Sequence, residues 1–216
     1  MIVGVTRWSL SVAIAACLGC AVALAQTPGS SGIPRPPRLQ FYVTTDAWPD
    51  GGEVPVEWRG NGKSPRFEFH WSLGMDPASA PDTLQSYAVI LRDLDEANNI
   101  QGLGLGNTTV DTLHWAAFNI PGTAKSLPEG LSKGDLPDGT RNGPGLALRR
   151  GQTPAYFGPG AVLGPFHHYV FEFYALDALL DLPADTTREE LLSAMNGHVI
   201  GKAAWFGRSR STTPRQ

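Results

Sequence analysis

The chain has 216 residues, with 17 basic against 20 acidic side chains, and 42% of its residues are hydrophobic. That length supports one sizeable core, and the composition is ordinary for a globular protein. The slightly acidic balance disfavours a nucleic-acid partner, which calls for a basic face.

Residues 1–25 read as a secretory signal. Arg7 supplies the positive start, an uncharged run follows it, and Ala23-Leu24-Ala25 forms an A-x-A cleavage site before Gln26. The expectation is export to the periplasm or cell exterior after cleavage near Ala25. The run is short for a spanning helix, so no transmembrane segment is expected in the mature chain. Leu18-Gly19-Cys20 weakly suggests a lipoprotein signal, although Cys17 stands where an aliphatic residue would be expected. Removing this leader, whose one charged side chain is Arg7, leaves 191 residues with net charge −4 and no cysteine. Disulfides and thiolate metal sites are thereby excluded.

Residues 26–38 are rich in Pro, Gly and Ser and read as a flexible leader; a domain is expected over 39–208, with a fraying tail at 209–216. Leu39, Phe41 and Val43 alternate with polar neighbours, as do Val54, Val56 and Trp58, and again Phe67, Phe69 and Trp71, the period of half-buried strands. Residues 87–91 and 113–120 are continuously apolar, as in central strands covered on both faces. The glycines at 102, 104 and 106 read as a hairpin tip.

Residues 121–165 hold ten glycines and seven prolines and predict no strand or helix, except around 146–148. The end of this stretch, Gly158-Pro159 running towards His167, is expected to wall a pocket. Residues 169–176 predict a strand with Tyr169, Phe171, Phe173 and Ala175 on one face. Thr187 and Glu190 form a capping-box pattern opening a helix that Gly197 ends, and a last strand is expected over about 199–206.

Three distant blocks carry the chemistry: Asp93-Leu94-Asp95, His114-Trp115 and His167-His168-Tyr169. Each lies on or at the end of a predicted strand. A carboxylate near an imidazole favours the protonated ring, which holds an anion through charge-assisted hydrogen bonds; such binding would weaken as pH rises. Tyr169 could add a hydroxyl donor. The blander readings are a satisfied core histidine at His114 and turn-bracing roles for Asp93 and Asp95. His70, His168 and His198 read as structural. Gly130 to Gly134 fits G-x-S-x-G literally, but no strand and helix flank Ser132. Arg149-Arg150 reads as a solvated pair that could reach the pocket.

With these blocks the chain resembles the phosphatidylethanolamine-binding protein family, in particular its bacterial Raf-kinase-inhibitor-like branch. Ser64-Pro65 with Trp71-Ser72, the strand into Asp93-Leu94-Asp95, His114-Trp115 through Asn119-Ile120-Pro121, Leu127-Pro128-Glu129-Gly130, the 156–169 segment and the 191–199 segment match its motifs in order. The resemblance implies a mainly β fold, with a large central, mostly antiparallel sheet, a smaller sheet and peripheral helices. It also implies a pocket for phosphate-like groups or phospholipid head groups. Carried over, the ligand-binding residues would be Asp93, Asp95, His114, His167 and Tyr169, with Trp115, Gly158 and Pro159 as pocket wall. Leu94 replaces a proline, Gly160 stands where cysteine-proline is usual, and His168 replaces an arginine, so a fixed positive charge is gone.

The leading functional expectation is a non-enzymatic binding protein without a cofactor, taking a small anionic ligand or phospholipid head group. The alternatives are a protease or kinase inhibitor with a protein target at the pocket rim, and a metal-dependent hydrolase built from Asp93, Asp95, His114 and His167. No close-spaced ligand motif such as H-E-x-x-H supports the last, and no tightly held metal is expected.

Overall fold

A computed structural model describes residues 37–97, 109–131, 134–145, 156–160 and 163–211. The 1–25 signal, nearly all of the 26–38 leader, the 102–106 glycines, Ser132, residues 146–148 and Arg149-Arg150 lie outside the described residues. The fold is mainly β, with two antiparallel sheets.

The small sheet contains β1 (Leu39–Thr44), β2 (Phe67–Leu73), β3 (Asp76–Ala78) and β6 (Ser126–Leu127), with β2 bonded to all three others. The large sheet has the order β7-β5-β4-β8-β9, built from β4 (Ser86–Ala97), β5 (Asp111–Pro121), β7 (Arg141–Gly145), β8 (His167–Leu176) and β9 (Val199–Ser209). One α-helix, α1 (Arg188–Met195), is described where several peripheral helices are expected. Its Thr187–Glu190 capping box is formed on both sides, satisfying two backbone donors of the first turn.

The large sheet is covered on both faces, which is why β4 and β5 read as unbroken apolar runs. Its inner face packs on the small sheet: Phe41, Phe67, Phe69 and Trp71 meet Tyr87, Leu91, Phe171 and Phe173 in one buried cluster. The aromatic rings interlock, with centroids 4.4 Å apart for Phe69 and Tyr87 and 4.8 Å for Phe67 and Phe173. The outer face of Ala88, Ile90, Phe118, Tyr174 and Leu176 is covered by Leu180, Leu191 and Met195. Burial of each such large side chain contributes about 1.5–3 kcal/mol, so two covered faces hold the described residues, none of which is a cysteine.

Four expectations need correction. Val54, Val56 and Trp58 do not form a strand: Val56–Trp58 is a single 3-10 turn, with Val54 buried and Val56 exposed to 75%. The one buried residue of the three, Val54, lies ahead of the turn. Strands β6 and β7 lie inside the stretch read as free of strands, because pairing with β2 and β5 overrides their weak local propensity. Strand β3 was unforeseen for the same reason. Strand β9 continues past the expected end to Ser209, which is fully buried opposite His167.

Candidate functional site

Strands β4 and β8 pair without a slip from Ser86 opposite Leu176 to Asp93 opposite Tyr169. Alternation then turns Asp93, Tyr169 and His167 to the inner face. On the other side of β4, Leu91 pairs with Trp115 but Arg92 pairs with Leu113, so His114 is one residue too many in β5. Such a bulge re-aims a side chain. Here it brings neighbours 114 and 115 inward together: the His114 ring stands edge-on to Tyr169 at 5.1 Å, and Trp115 meets Tyr156 at 5.2 Å. The Trp115 indole donates to Asn142 Oδ1 at 2.6 Å, which anchors it as wall rather than ligand contact.

Asp93 is 1% exposed and is the hub of the site. Its Oδ2 lies 2.8 Å from His167 Nδ1 and 3.9 Å from His114 Nε2, and its Oδ1 accepts the Asp95 backbone N–H at 2.9 Å. A buried carboxylate requires such partners. His114 Nδ1 lies 3.0 Å from the Gly158 carbonyl, which can only accept, so Nδ1 carries a proton and Nε2 is the nitrogen turned to the pocket.

The electrostatic expectation fails at His114. Burial pushes its imidazole below the ordinary histidine value, and this outweighs the opposite pull of Asp93 and the Gly158 carbonyl. The Tyr169 hydroxyl donates in a short contact to the Gly160 carbonyl, so its proton is already used within the protein. Burial first, then the adjacent Asp93 carboxylate, push the phenol far above its ordinary value and keep it neutral.

The pocket wall is laced to the chain around the 3-10 turn. Gly158 N–H donates to Gly60 O at 2.7 Å, Gly60 N–H to Pro159 O at 3.3 Å, and the Tyr156 hydroxyl to Trp58 O at 2.9 Å. A Cβ on Gly158 would stand 2.1 Å from Trp58 O and 2.6 Å from the Tyr156 hydroxyl, so only glycine fits. Phe157 lies 5.5 Å from the His114 ring. Trp58 and Gly60 were not foreseen as wall supports, and no local signal marks them.

Asp95 stands apart from this group. Its side chain is 41% exposed and accepts from the His168 backbone N–H at 2.5 Å and faces His168 Nδ1 at 2.9 Å. Partial burial, the largest single influence, pushes its carboxyl up, but the His168 hydrogen bonds and charge together bring it below the ordinary value. His70 stacks on Tyr42, and His198 bonds Asp177 at 2.8 Å, both away from the pocket.

Glu96 was missed. Ligand-capable atoms of Asp93, Glu96 and His167 all lie within 4.8 Å of one another, and among the described residues this trio replaces the quartet of Asp93, Asp95, His114 and His167. Strict alternation would send Glu96 to the face opposite Asp93. The β4–β5 register shifts between Asp93 and Ala97, an irregularity that the sequence does not announce.

Residues 44–210 match the phosphatidylethanolamine-binding protein family profile. A UPF0098 protein of Methanothermobacter thermautotrophicus is 32% identical over 166 residues, covering 76% of this chain and 95% of its own length. The crystal structure of CT736, a phosphatidylethanolamine-binding protein homologue from Chlamydia trachomatis, superposes with a TM-score of 0.59 at 26% identity, covering 80% of this chain and 98% of that one. E. coli YbcL, described as a member of the mammalian family, gives the same TM-score at 23% identity over 80% of this chain and 99% of its own, a likeness of fold. With the profile spanning most of its length, the chain belongs to the phosphatidylethanolamine-binding protein family.

Proposed function

We propose that this chain is a non-enzymatic binding protein whose pocket of Asp93, His114, His167 and Tyr169 takes a phosphate-bearing small ligand, free or as a phospholipid head group. The observation that carries the reading is the buried Asp93 carboxylate, 2.8 Å from one imidazole and 3.9 Å from a second. Each ring has its Nδ1 engaged by the protein, at Gly158 O and at Asp93, so each presents Nε2 to a ligand. A contact from Nε2 to a phosphate oxygen needs one proton between them. Because burial leaves His114 reluctant to carry it, a hydrogen-phosphate group supplies it best.

The reading as a binder rather than a hydrolase is supported by the partners of the ring nitrogens: His114 Nδ1 faces the Gly158 carbonyl and His167 Nδ1 the Asp93 carboxylate, neither of them a nucleophilic hydroxyl. Calorimetric titration with inorganic phosphate, phosphoethanolamine and glycerophosphoethanolamine tests it, together with thermal unfolding. A ligand at 100 times its dissociation constant stabilises by about 2.7 kcal/mol. Flat titrations with all three, or ester turnover abolished by His114→Ala, would overturn the proposal.

We propose further that the protein is exported, on the strength of Arg7, the uncharged run and the Ala23-Leu24-Ala25 site. The intact mass of the exported form should begin at Gln26; an acylated Cys20 would sink this reading.

A further inference from the structure

We infer that the pocket takes a divalent cation together with its anion, the cation being held by Asp93, Glu96 and a ring nitrogen of His167. The inference rests on the phosphate-binding reading above and adds the ion that makes such binding favourable.

The first support is geometry. Donors from Asp93, Glu96 and His167 all lie within 4.8 Å of one another, while Asp93 is held rigidly at 1% exposure by the Asp95 backbone N–H. Two donors bound side by side to one ion, each about 2.1 Å from it, stand about 3 Å apart. Asp93 Oδ2 and His167 Nδ1 are 2.8 Å apart, the spacing of two adjacent ligands of one metal. An ion there takes the place of the proton between them, and Glu96, half-buried, closes the third side. The positions left over are open to the oxygens of the anion and to water.

The second is charge. The fixed charges of the described pocket are carboxylates, and a phosphate beside them is repelled. The position where an arginine is usual in the family is His168, whose ring is turned away to Asp95. The nearest arginine in β4, Arg92, is committed to Glu172 and Asp111 on the opposite face of the sheet. A divalent ion touching both the carboxylates and the phosphate replaces that missing positive charge.

The third is the donor set. Two carboxylates and one imidazole suit an ion between the hard and borderline classes, such as Mn2+ or Zn2+, rather than one that demands thiolates. A three-donor set already knit by a hydrogen bond binds such an ion weakly alone, and more tightly once the anion adds oxygen ligands. Cation and anion therefore strengthen each other by one and the same factor.

The test uses the full chain, stripped with EDTA and dialysed. Free Mn2+ is followed by electron paramagnetic resonance during titration, with and without inorganic phosphate, and phosphate binding is measured by calorimetry in EDTA and in Mn2+. One saturable Mn2+ per chain is expected, tightened about tenfold or more by phosphate, with phosphate tightened equally by Mn2+. Glu96→Gln should weaken Mn2+ about tenfold or more, while phosphate binding in EDTA should be no weaker than in wild type, because the substitution removes a repelling charge. If that variant loses its cooperative thermal transition, Glu96→Asp, which keeps the charge and shortens its reach, carries the comparison. Mn2+ binding undiminished in the Glu96 variant overturns the inference. Equal phosphate affinity in EDTA and Mn2+ also overturns it while leaving the anion reading intact, as does phosphate binding abolished by Arg149→Ala with Arg150→Ala. Phosphate binding under neither condition overturns the anion reading itself, and the coupled site with it.

Discussion

Arg92 and Asp93 are consecutive in β4, yet they anchor two charge clusters of opposite design on the two faces of the large sheet. In the outer cluster each charged group has an opposite partner. Arg92 bonds Glu172 at 2.8 Å and makes a short contact with Asp111; Asp111 also takes Arg188 at 2.5 Å, and Glu172 takes Lys202 at 3.0 Å. On the inner face one carboxylate, Asp93, is shared by two imidazoles, one at hydrogen-bond length and one beyond it. The outer network ties β4, β5, β8, β9 and α1 together by fixed charges. The inner group leaves nitrogen atoms pointing at a pocket. Ionisable groups on a strand are structural where their partners lie within the protein, and available for a ligand where a ring nitrogen is left over.

The sharpest way to break this contrast is to truncate each side. His114→Ala and His167→Ala should each weaken phosphate binding about tenfold to a hundredfold, the worth of one charge-assisted hydrogen bond of roughly 1.5–3 kcal/mol. Arg92→Ala should leave affinity within about twofold, yet cost about 1–3 kcal/mol in urea unfolding by stripping partners from two largely buried carboxylates. If calorimetry shows Arg92→Ala and His114→Ala losing affinity alike, the two faces are not distinct.

Next in size, Gly158→Ala should destabilise by about 1–3 kcal/mol, because its Cβ would meet the Trp58 carbonyl at 2.1 Å, and it should weaken the anion by displacing the carbonyl that orients His114. Full stability with unchanged affinity would mean that the wall is looser than its hydrogen bonds imply.

The pH dependence sharpens the contrast further. Burial depresses His114 in the folded chain, so below its unfolded value of about 6.5 the unfolded state binds the extra proton. Its contribution to stability is complete above that pH and is lost as pH falls towards the depressed folded value. His114→Gln should therefore show a smaller loss of melting temperature between pH 8 and pH 5 than wild type; identical losses would mean that the ring is not held neutral.

The smallest effect belongs to Asp95→Asn. The pair with His168 is exposed, so the cost should stay under about 1 kcal/mol and the affinity should not move beyond about twofold. A hundredfold loss of affinity would return Asp95 to the pocket.

Much of the fold was legible because covered strands write themselves as apolar runs and alternations. Phe41 and Val43, the 87–91 run, the two faces of β8 and the capping box at Thr187 all read correctly, and with them the family. Val56 and Trp58 misled because apolar residues at every second position imitate the strand period, although only Val54, ahead of the turn, is buried. Strands β6 and β7 were invisible because their partners supply the pairing that their own glycines and prolines do not favour.

By itself the sequence determined which residue types stand at the ends of β4, β5 and β8, and alternation within β8 put His167 and Tyr169 on one face; the β4–β8 register brought Asp93 to it. Tertiary structure alone decided the rest. A bulge at His114 turned that ring and Trp115 to the same side, a register shift after Asp93 returned Glu96 to the site, and burial reversed the charge preference of His114. Pairing register and desolvation depend on what lies across from a residue, and a strand does not carry its neighbours in its own sequence.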